Sequence, residues 1–119
     1  MENRTWVVVG YLLKYLKVPV TQTTLRQTLQ SHSRYPSLLS ISDGLDNWHI
    51  ENAGLRLQPE QLSELEAPFL AHLYSNNGEF VWVSSLQNDS IVYTDTSRTT
   101  RTTSVEAFQR QWSGVLLVA

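Results

Sequence analysis

Three polar side chains occupy places where the sequence could support chemistry. Glu79 opens the apolar segment EFVWV, and Asp95 follows the apolar segment SIVYT. Two carboxylates can perform acid–base catalysis, and the hydroxyl of Thr5 could act with them as a nucleophile. The alternative is structural, with Glu79 as a surface residue that starts a strand and Asp95 as the residue that holds a turn. We favour this structural interpretation.

Thiol and metal chemistry find little support in the sequence. None of the 119 residues is a cysteine, which excludes disulfides, thiolate metal ligands and thiol catalysis. The three histidines are not spaced as metal ligands, so we expect no metal and no cofactor. We expect His72 to have a structural role, His49 to end a helix and His32 to lie in a solvated loop.

The composition is that of an ordinary globular domain. The chain is 41% hydrophobic and carries a net charge of −2, so no overall positive field would attract nucleic acid. A chain of 119 residues can bury about two-thirds of its unfolded surface. We therefore predict a single domain over residues 1–119. Lys14 and Lys17 interrupt the apolar run near the N-terminus, which makes it a poor membrane span or export signal.

Three helices are predicted in the first half of the chain. Apolar residues recur at spacings of three and four in TWVVVGYLLKYL, until Pro19 breaks the pattern. Thr21 is a suitable N-cap for a second helix, TTLRQTLQSH, and Ser37 for a third. The apolar face of the third helix includes Trp48, which we expect in the core, as we do Trp112.

The second half of the chain is predicted to form a mostly antiparallel sheet. Strand-like segments APFLAHLY, EFVWVSSL, SIVYTDT and TRTT are separated by turn-forming SNNG, QND and TSR. FVWV is apolar on both faces and predicts a central strand, whereas TSRTTRTTS predicts an exposed edge hairpin, with phosphate contact as its alternative. A capping box of Thr103 and Glu106 predicts a last helix before a buried strand GVLLV. This order predicts an α+β domain, with helices packed on the sheet.

The ordered set of segments resembles a known family. The helix VVVGYLLKYLKVPVTQTTLRQTL, the unit SLLSISDGLDNWHIENAGLRL and the strands GEFVWVSSLQNDSIVYTDT are similar to the papain-like peptidase domain of bacterial peptide exporters. That family cuts leader peptides after a double glycine. The segment YPSLLSISDGL most resembles a branch fused ahead of a vitamin K epoxide reductase-type membrane domain in Bacteroides-like bacteria. The resemblance implies a papain-like fold and an N-terminal place in a longer protein.

The same resemblance implies that the catalytic machinery has been lost. It places the family's nucleophilic cysteine near Asn3, Arg4 and Thr5. It places the catalytic histidine at Glu79 and the orienting aspartate at Asp95, while the oxyanion-hole glutamine would precede this chain. A carboxylate cannot replace imidazole as the proton shuttle near neutral pH without a large pKa shift, and an aspartate without a base to orient does no catalysis. We therefore expect a pseudo-peptidase and not an enzyme.

Four residues are candidates for peptide binding. In the family, the substrate lies beside the first helix and the strand that carries the histidine. The resemblance therefore implies that Trp6, Glu79, Trp82 and Asp95 contact a peptide, with core packing as the alternative for the two tryptophans.

The functional hypothesis is a non-catalytic module that binds a peptide or an unfolded segment of a partner protein in the relict substrate groove. The alternative is a structural or regulatory accessory domain of a membrane redox enzyme or exporter, without peptide binding. A membrane domain of the same or a partner chain is an expected partner. We expect a cytoplasmic location, tethered to the inner membrane.

Overall fold

The computed structural model describes residues 3–119, which form helices and a single six-stranded sheet. The α-helices are α1 (Thr5–Tyr15), α2 (Gln22–Gln30), α3 (Leu38–Asn47) and α4 (Val105–Gln111). The strands are β1 (Ala53–Arg56), β2 (Phe69–Leu73), β3 (Glu79–Gln87), β4 (Ser90–Thr94), β5 (Thr100–Ser104) and β6 (Trp112–Val118). Short 3-10 helices lie at Pro59–Glu64 and Ser75–Asn77. The predicted α+β class is confirmed.

Side-chain caps start α2 and α3 where the sequence predicts them. Thr21 Oγ1 accepts a hydrogen bond from the Thr24 N–H at 3.2 Å, and Ser37 Oγ accepts one from the Ser40 N–H at 3.1 Å. His49 follows α3 with a φ of 59°, as expected for a residue at a helix exit. These two caps determine where α2 and α3 begin.

The predicted capping box of α4 is wrong by one residue. Thr103 lies within β5, where it pairs with Ile91 of β4. Ser104 is the N-cap instead, and its Oγ accepts a hydrogen bond from the Ala107 N–H at 3.1 Å. Thr103 cannot start the helix because the sheet register keeps it extended.

The strand order in the sheet is β1-β6-β2-β3-β4-β5, and every neighbouring pair is antiparallel. β3 lies inside the sheet, as the apolar segment FVWV predicts. β5 lies at one edge and is largely exposed, as predicted, and β1 lies at the other edge. The register of β2 and β3 places Leu73 opposite Glu79 and His72 opposite Phe80.

The sheet separates two hydrophobic cores. Phe80 and Trp82 of β3 pack with α1, α2 and α3 on one face, whereas Val81 and Val83 pack with α4 on the other. Trp112 lies in the second core, as predicted. Trp48 is half-buried against the first core instead of inside it, because it is the C-cap residue of α3. In residues 3–119, no helix has the length and apolarity needed to cross a membrane.

Candidate functional site

A cavity of about 450 Å³ opens between the start of α1, the segment 34–38 and one end of the sheet. Thr5 and Glu79, two of the positions singled out by the sequence, both line it. The other lining residues are Arg34, Pro36, Ser37, Leu38, Arg56, His72, Tyr74, Asn77, Gly78, Phe80, Ser113 and Val115. Its volume falls within the range of ligand pockets, and its lining is both polar and apolar.

The first N–H groups of α1 are occupied by hydrogen bonds. Arg4 is the exposed N-cap residue and makes no side-chain cap, and Thr5 is only 2% exposed. The Thr5 N–H donates to Asn3 Oδ1 at 2.9 Å, and the Trp6 N–H donates to the Tyr35 hydroxyl at 3.1 Å. Tyr35 in turn donates to the Asn3 carbonyl oxygen at 2.8 Å. Two groups that could stabilise an anion at a helix N-terminus are therefore already used.

Glu79 is held as a hydrogen-bond acceptor at the edge of the cavity. Its Oε1 accepts from Ser75 Oγ at 3.2 Å and from Asn76 Nδ2 at 3.1 Å. The Glu79 carboxylate also contributes to the raised pKa of Arg101, although the main cause of that shift is the hydrogen bond from Arg101 to Asp95. Two donors from the preceding turn thus fix the position of the Glu79 carboxylate.

His72 and Ser113 form a fixed pair in the cavity wall. The Ser113 hydroxyl donates to the His72 carbonyl oxygen at 3.0 Å, so Ser113 Oγ is left to accept from His72 Nδ1–H at 2.9 Å. This pattern assigns the proton to Nδ1 and leaves Nε2 as an acceptor. Nε2 lies against Gly78, where a Cβ atom would be 3.0 Å away. Burial lowers the pKa of His72, which favours the neutral ring.

Asp95 does not line the cavity. It is 7% exposed and follows β4, where its Oδ1 accepts from the N–H groups of Ser97 at 2.9 Å and Thr99 at 3.1 Å. Its Oδ2 accepts from Arg101 Nη1. Burial acts to raise the pKa of Asp95, but the hydrogen bonds from Thr99, Arg101 and Ser97 together lower it. The structure therefore gives Asp95 a turn-holding arrangement.

Trp6 and Trp82 also lie outside the lining of the cavity. Both are 7% exposed and belong to the first hydrophobic core. Trp82 contacts the ring of Tyr15, with 6.0 Å between centroids, and the guanidinium of Arg26 lies 5.5 Å from the centroid of the Trp6 ring. Trp6 lines a separate cavity of about 230 Å³. The structure thus places Glu79 and Thr5 together but places Trp82 and Asp95 elsewhere.

The remaining histidines do not contribute to the cavity. His32 lies in the turn after α2, as predicted, but its side chain is half-buried and pairs through Nε2 with Asp43 Oδ2 at 2.8 Å. The pairing follows from the turn after α2, which brings His32 beside α3. Within residues 3–119, no group of three or more His, Asp or Glu side chains could hold a metal ion.

Sequence reasoning missed four polar residues that shape this site. Arg34, Arg56 and Ser113 line the cavity, and Tyr35 caps the start of α1. They come from the turn before α3, the end of β1 and the start of β6. No local pattern in the sequence signals them, because only the tertiary fold brings these segments together.

Comparison with known proteins agrees with this architecture. A family model described as the Peptidase C39 family matches residues 4–119. No curated protein matches the sequence.

Solved structures of peptidase domains share the fold. A double glycine motif protease from an AMS/PCAT transporter, solved with its leader peptide, is 21% identical, with a TM-score of 0.84 over 99% of this chain and 85% of that one. The peptidase domain of Streptococcus ComA, a bifunctional ABC transporter, is 18% identical, with a TM-score of 0.80 over 99% and 92%. The peptidase C39-like domain of a Vibrio parahaemolyticus toxin secretion ATP-binding protein is 13% identical, with a TM-score of 0.73 over 98% and 95%. The predicted papain-like peptidase fold is confirmed.

Proposed function

Because this chain belongs to the Peptidase C39 family, we propose that it binds a peptide segment in the cavity at Thr5 and Glu79 without cleaving it. The observation that carries the proposal is the cavity itself. About 450 Å³ of open space remains where the resemblance puts the family's nucleophile and catalytic histidine, at Thr5 and Glu79. Trp82, which could have filled such a groove, packs in the core instead.

The chemistry at these positions supports binding without cleavage. The sequence contains no cysteine, and Thr5, which lies where the resemblance puts the nucleophile, is only 2% exposed. His72, the imidazole in the wall, presents a proton on Nδ1 to Ser113, whose hydroxyl is already donated to a carbonyl oxygen. Ser113 is therefore held as a structural bridge rather than as a nucleophile.

The lining supports a peptide as the ligand. Leu38, Phe80 and Val115 supply apolar surface for a side chain, and His72 Nε2 supplies an acceptor for a backbone N–H. Tyr74 is 66% exposed at the same cavity, where an aromatic ring can cover a bound chain. One structural relative was solved with a leader peptide. Because that relative is 21% identical to this chain, its structure supports the fold. Peptide binding by this chain is our proposal.

A pooled peptide array probed with the purified 119-residue chain tests the binding. Tyr74→Ala removes an exposed ring from the cavity, and Tyr15→Ala is the matched control because Tyr15 is 60% exposed but lies outside the cavity lining. We expect the wild type to bind selectively and Tyr74→Ala to bind at least about fivefold more weakly. Binding by Tyr15→Ala should be unchanged. Equal binding by all three chains would contradict the cavity as the site.

The same peptides, recovered after incubation and examined by mass spectrometry, test the absence of cleavage. We expect them to remain intact. Hydrolysis that Asp95→Ala abolishes while the variant stays folded would show that the domain is an enzyme. Absence of any binding would instead favour the accessory role, in which the domain acts through assembly contacts with a membrane redox enzyme of the vitamin K epoxide reductase type or with an exporter.

The cellular setting is also part of the proposal. We propose that the domain acts on the cytoplasmic side, tethered to the inner membrane through a membrane domain of its own or a partner chain. Support comes from the ComA relative, which belongs to a bifunctional ABC transporter. Fractionation of cells that produce the natural protein should recover it with the inner membrane, and recovery only in the soluble fraction would contradict the tether.

A further inference from the structure

We propose that the peptide bound in the cavity carries a carboxylate and that Arg34 and Arg56 bind this group. The inference rests on the proposed function and deepens it by naming the chemical class of the ligand. A carboxylate can come from the free C-terminus of a peptide or from an Asp or Glu side chain. The chemistry recognised is the same for both sources, so the experiment has to separate them.

The charge of the cavity lining is opposite to that of the whole chain. The formal net charge of the protein is −2, yet the charged residues of the lining are two arginines and one glutamate. Glu79 Oε1 is already occupied by donors from Ser75 and Asn76, and the lowered pKa of His72 keeps that ring neutral. The cavity therefore offers a local positive potential within an acidic protein.

The two arginines have no ion-pair partner among residues 3–119. Arg101 pairs with Asp95 and Arg110 pairs with Glu106, whereas the guanidinium groups of Arg34 and Arg56 make no such contact in the described part of the chain. A guanidinium presents a fork of N–H donors that matches both oxygens of a carboxylate. Both side chains are thus available for a ligand from outside.

Their placement suits a group that enters at the mouth of the cavity. Arg34 lies on the turn before α3 and Arg56 ends β1, so they approach from separate elements, and both are exposed. The apolar lining from Leu38, Phe80 and Val115 lies in the same cavity. A ligand with a carboxylate next to an apolar side chain would satisfy both surfaces. Acidic peptides with apolar neighbours are therefore the expected class.

Four libraries of ten-residue peptides, titrated by fluorescence anisotropy, provide the probe. They combine free or amidated C-termini with the presence or absence of Asp and Glu. We expect the neutral library, which is amidated and lacks acidic side chains, to bind at least about tenfold more weakly than the library with both kinds of carboxylate. Comparison of the two mixed libraries then shows whether the terminal or the side-chain carboxylate is the source.

Variants of the two arginines complete the test. Arg34→Gln and Arg56→Gln should each weaken binding of the acidic libraries and reduce its sensitivity to salt, while leaving the weak binding of the neutral library unchanged. Arg110→Gln is the matched control, because Arg110 is exposed on α4 and outside the cavity. All three changes are at exposed positions, and thermal unfolding checks that the variants are folded.

The outcomes separate this inference from the proposed function. Equal binding of all four libraries, or arginine variants indistinguishable from Arg110→Gln, would overturn the carboxylate inference and leave peptide binding intact. Failure of every library to bind would overturn both. Preference for carboxylates that is lost in the arginine variants supports both.

Discussion

At the scale of single residues, Asp95 stabilises a turn. It occupies the position at which the resemblance puts an orienting aspartate. Asp95 accepts from two backbone N–H groups of its own turn and from Arg101, and it does not reach the cavity that contains Glu79. Asp and Asn side chains commonly organise turns in this way. The presence of an aspartate at this place therefore has an explanation that requires no catalysis.

The role of Asp95 predicts a measurable loss of stability. Asp95→Ala leaves the Ser97 and Thr99 N–H groups without their acceptor, and we expect a loss of about 1–3 kcal/mol in the free energy of unfolding at pH 7. Asp95→Asn keeps one acceptor oxygen and should lose less. Urea denaturation monitored by tryptophan fluorescence measures both. A stability of Asp95→Ala equal to that of the wild type would contradict the structural role.

The pH dependence of this difference has a definite sign. The pKa of Asp95 in the folded protein is lower than its ordinary value of 3.8, so the folded state prefers the charged carboxylate. Its contribution is fully present above pH 3.8 and is lost as the pH falls through the folded-state pKa. The stability gap between wild type and Asp95→Asn should therefore shrink when the same denaturation is repeated at low pH.

At the scale of elements, the junction between β1 and β6 depends on one glycine. Gly114 has a φ of 89°, and a Cβ atom there would lie 2.6 Å from the Leu57 carbonyl oxygen. Its own carbonyl oxygen accepts from the Leu57 N–H at 2.8 Å. Close approach of two backbones and a left-handed φ both require a residue without a side chain.

Gly114→Ala should therefore destabilise the domain by about 1–3 kcal/mol, from backbone strain and displacement of Leu57. Gly10→Ala is the control, because Gly10 lies within α1 and a new Cβ would meet only the flexible end of Leu25 at 3.3 Å. Within a helix, alanine is more favourable than glycine by about 0.8–1 kcal/mol, and this gain offsets the close contact with Leu25. Equal effects of the two changes in urea denaturation would contradict this account of the junction.

Local sequence signals predicted the helices and strands better than the boundaries between them. Thr21 and Ser37 were predictable as caps because a cap is a contact over three residues. FVWV, which is apolar on both faces, predicted an interior strand, and residues 80–83 are indeed buried. Thr103 was predicted both as the last residue of the strand TRTT and as a helix cap, and its pairing with Ile91 across a hairpin decides in favour of the strand. Threonine and serine can both serve as N-caps, so the sheet register decides between Thr103 and Ser104.

At the scale of the whole molecule, the same distinction applies to the site. The resemblance led to Thr5 and Glu79, which the fold brings to one cavity although 73 residues lie between them. Arg34, Arg56 and Tyr35 were not predictable, because each acquires its role through packing between distant segments. Trp6 and Trp82 belong to the core on the helical face of the sheet, a placement that hydrophobicity alone could not separate from exposure in a groove.

The strand order β1-β6-β2 has a consequence for the order of events during synthesis. β1 pairs with β6, so Ala53–Arg56 must wait for Trp112–Val118 before it gains its strand partner. At ribosomal rates of 5–20 residues per second, this delay is roughly 3–12 s. The meander of β2, β3, β4 and β5 can pair in the meantime, because each hairpin joins consecutive strands. β1 can join the sheet only after β6 has been made, so the cavity, which Arg56 of β1 and Ser113 and Val115 of β6 help to line, is completed after the meander.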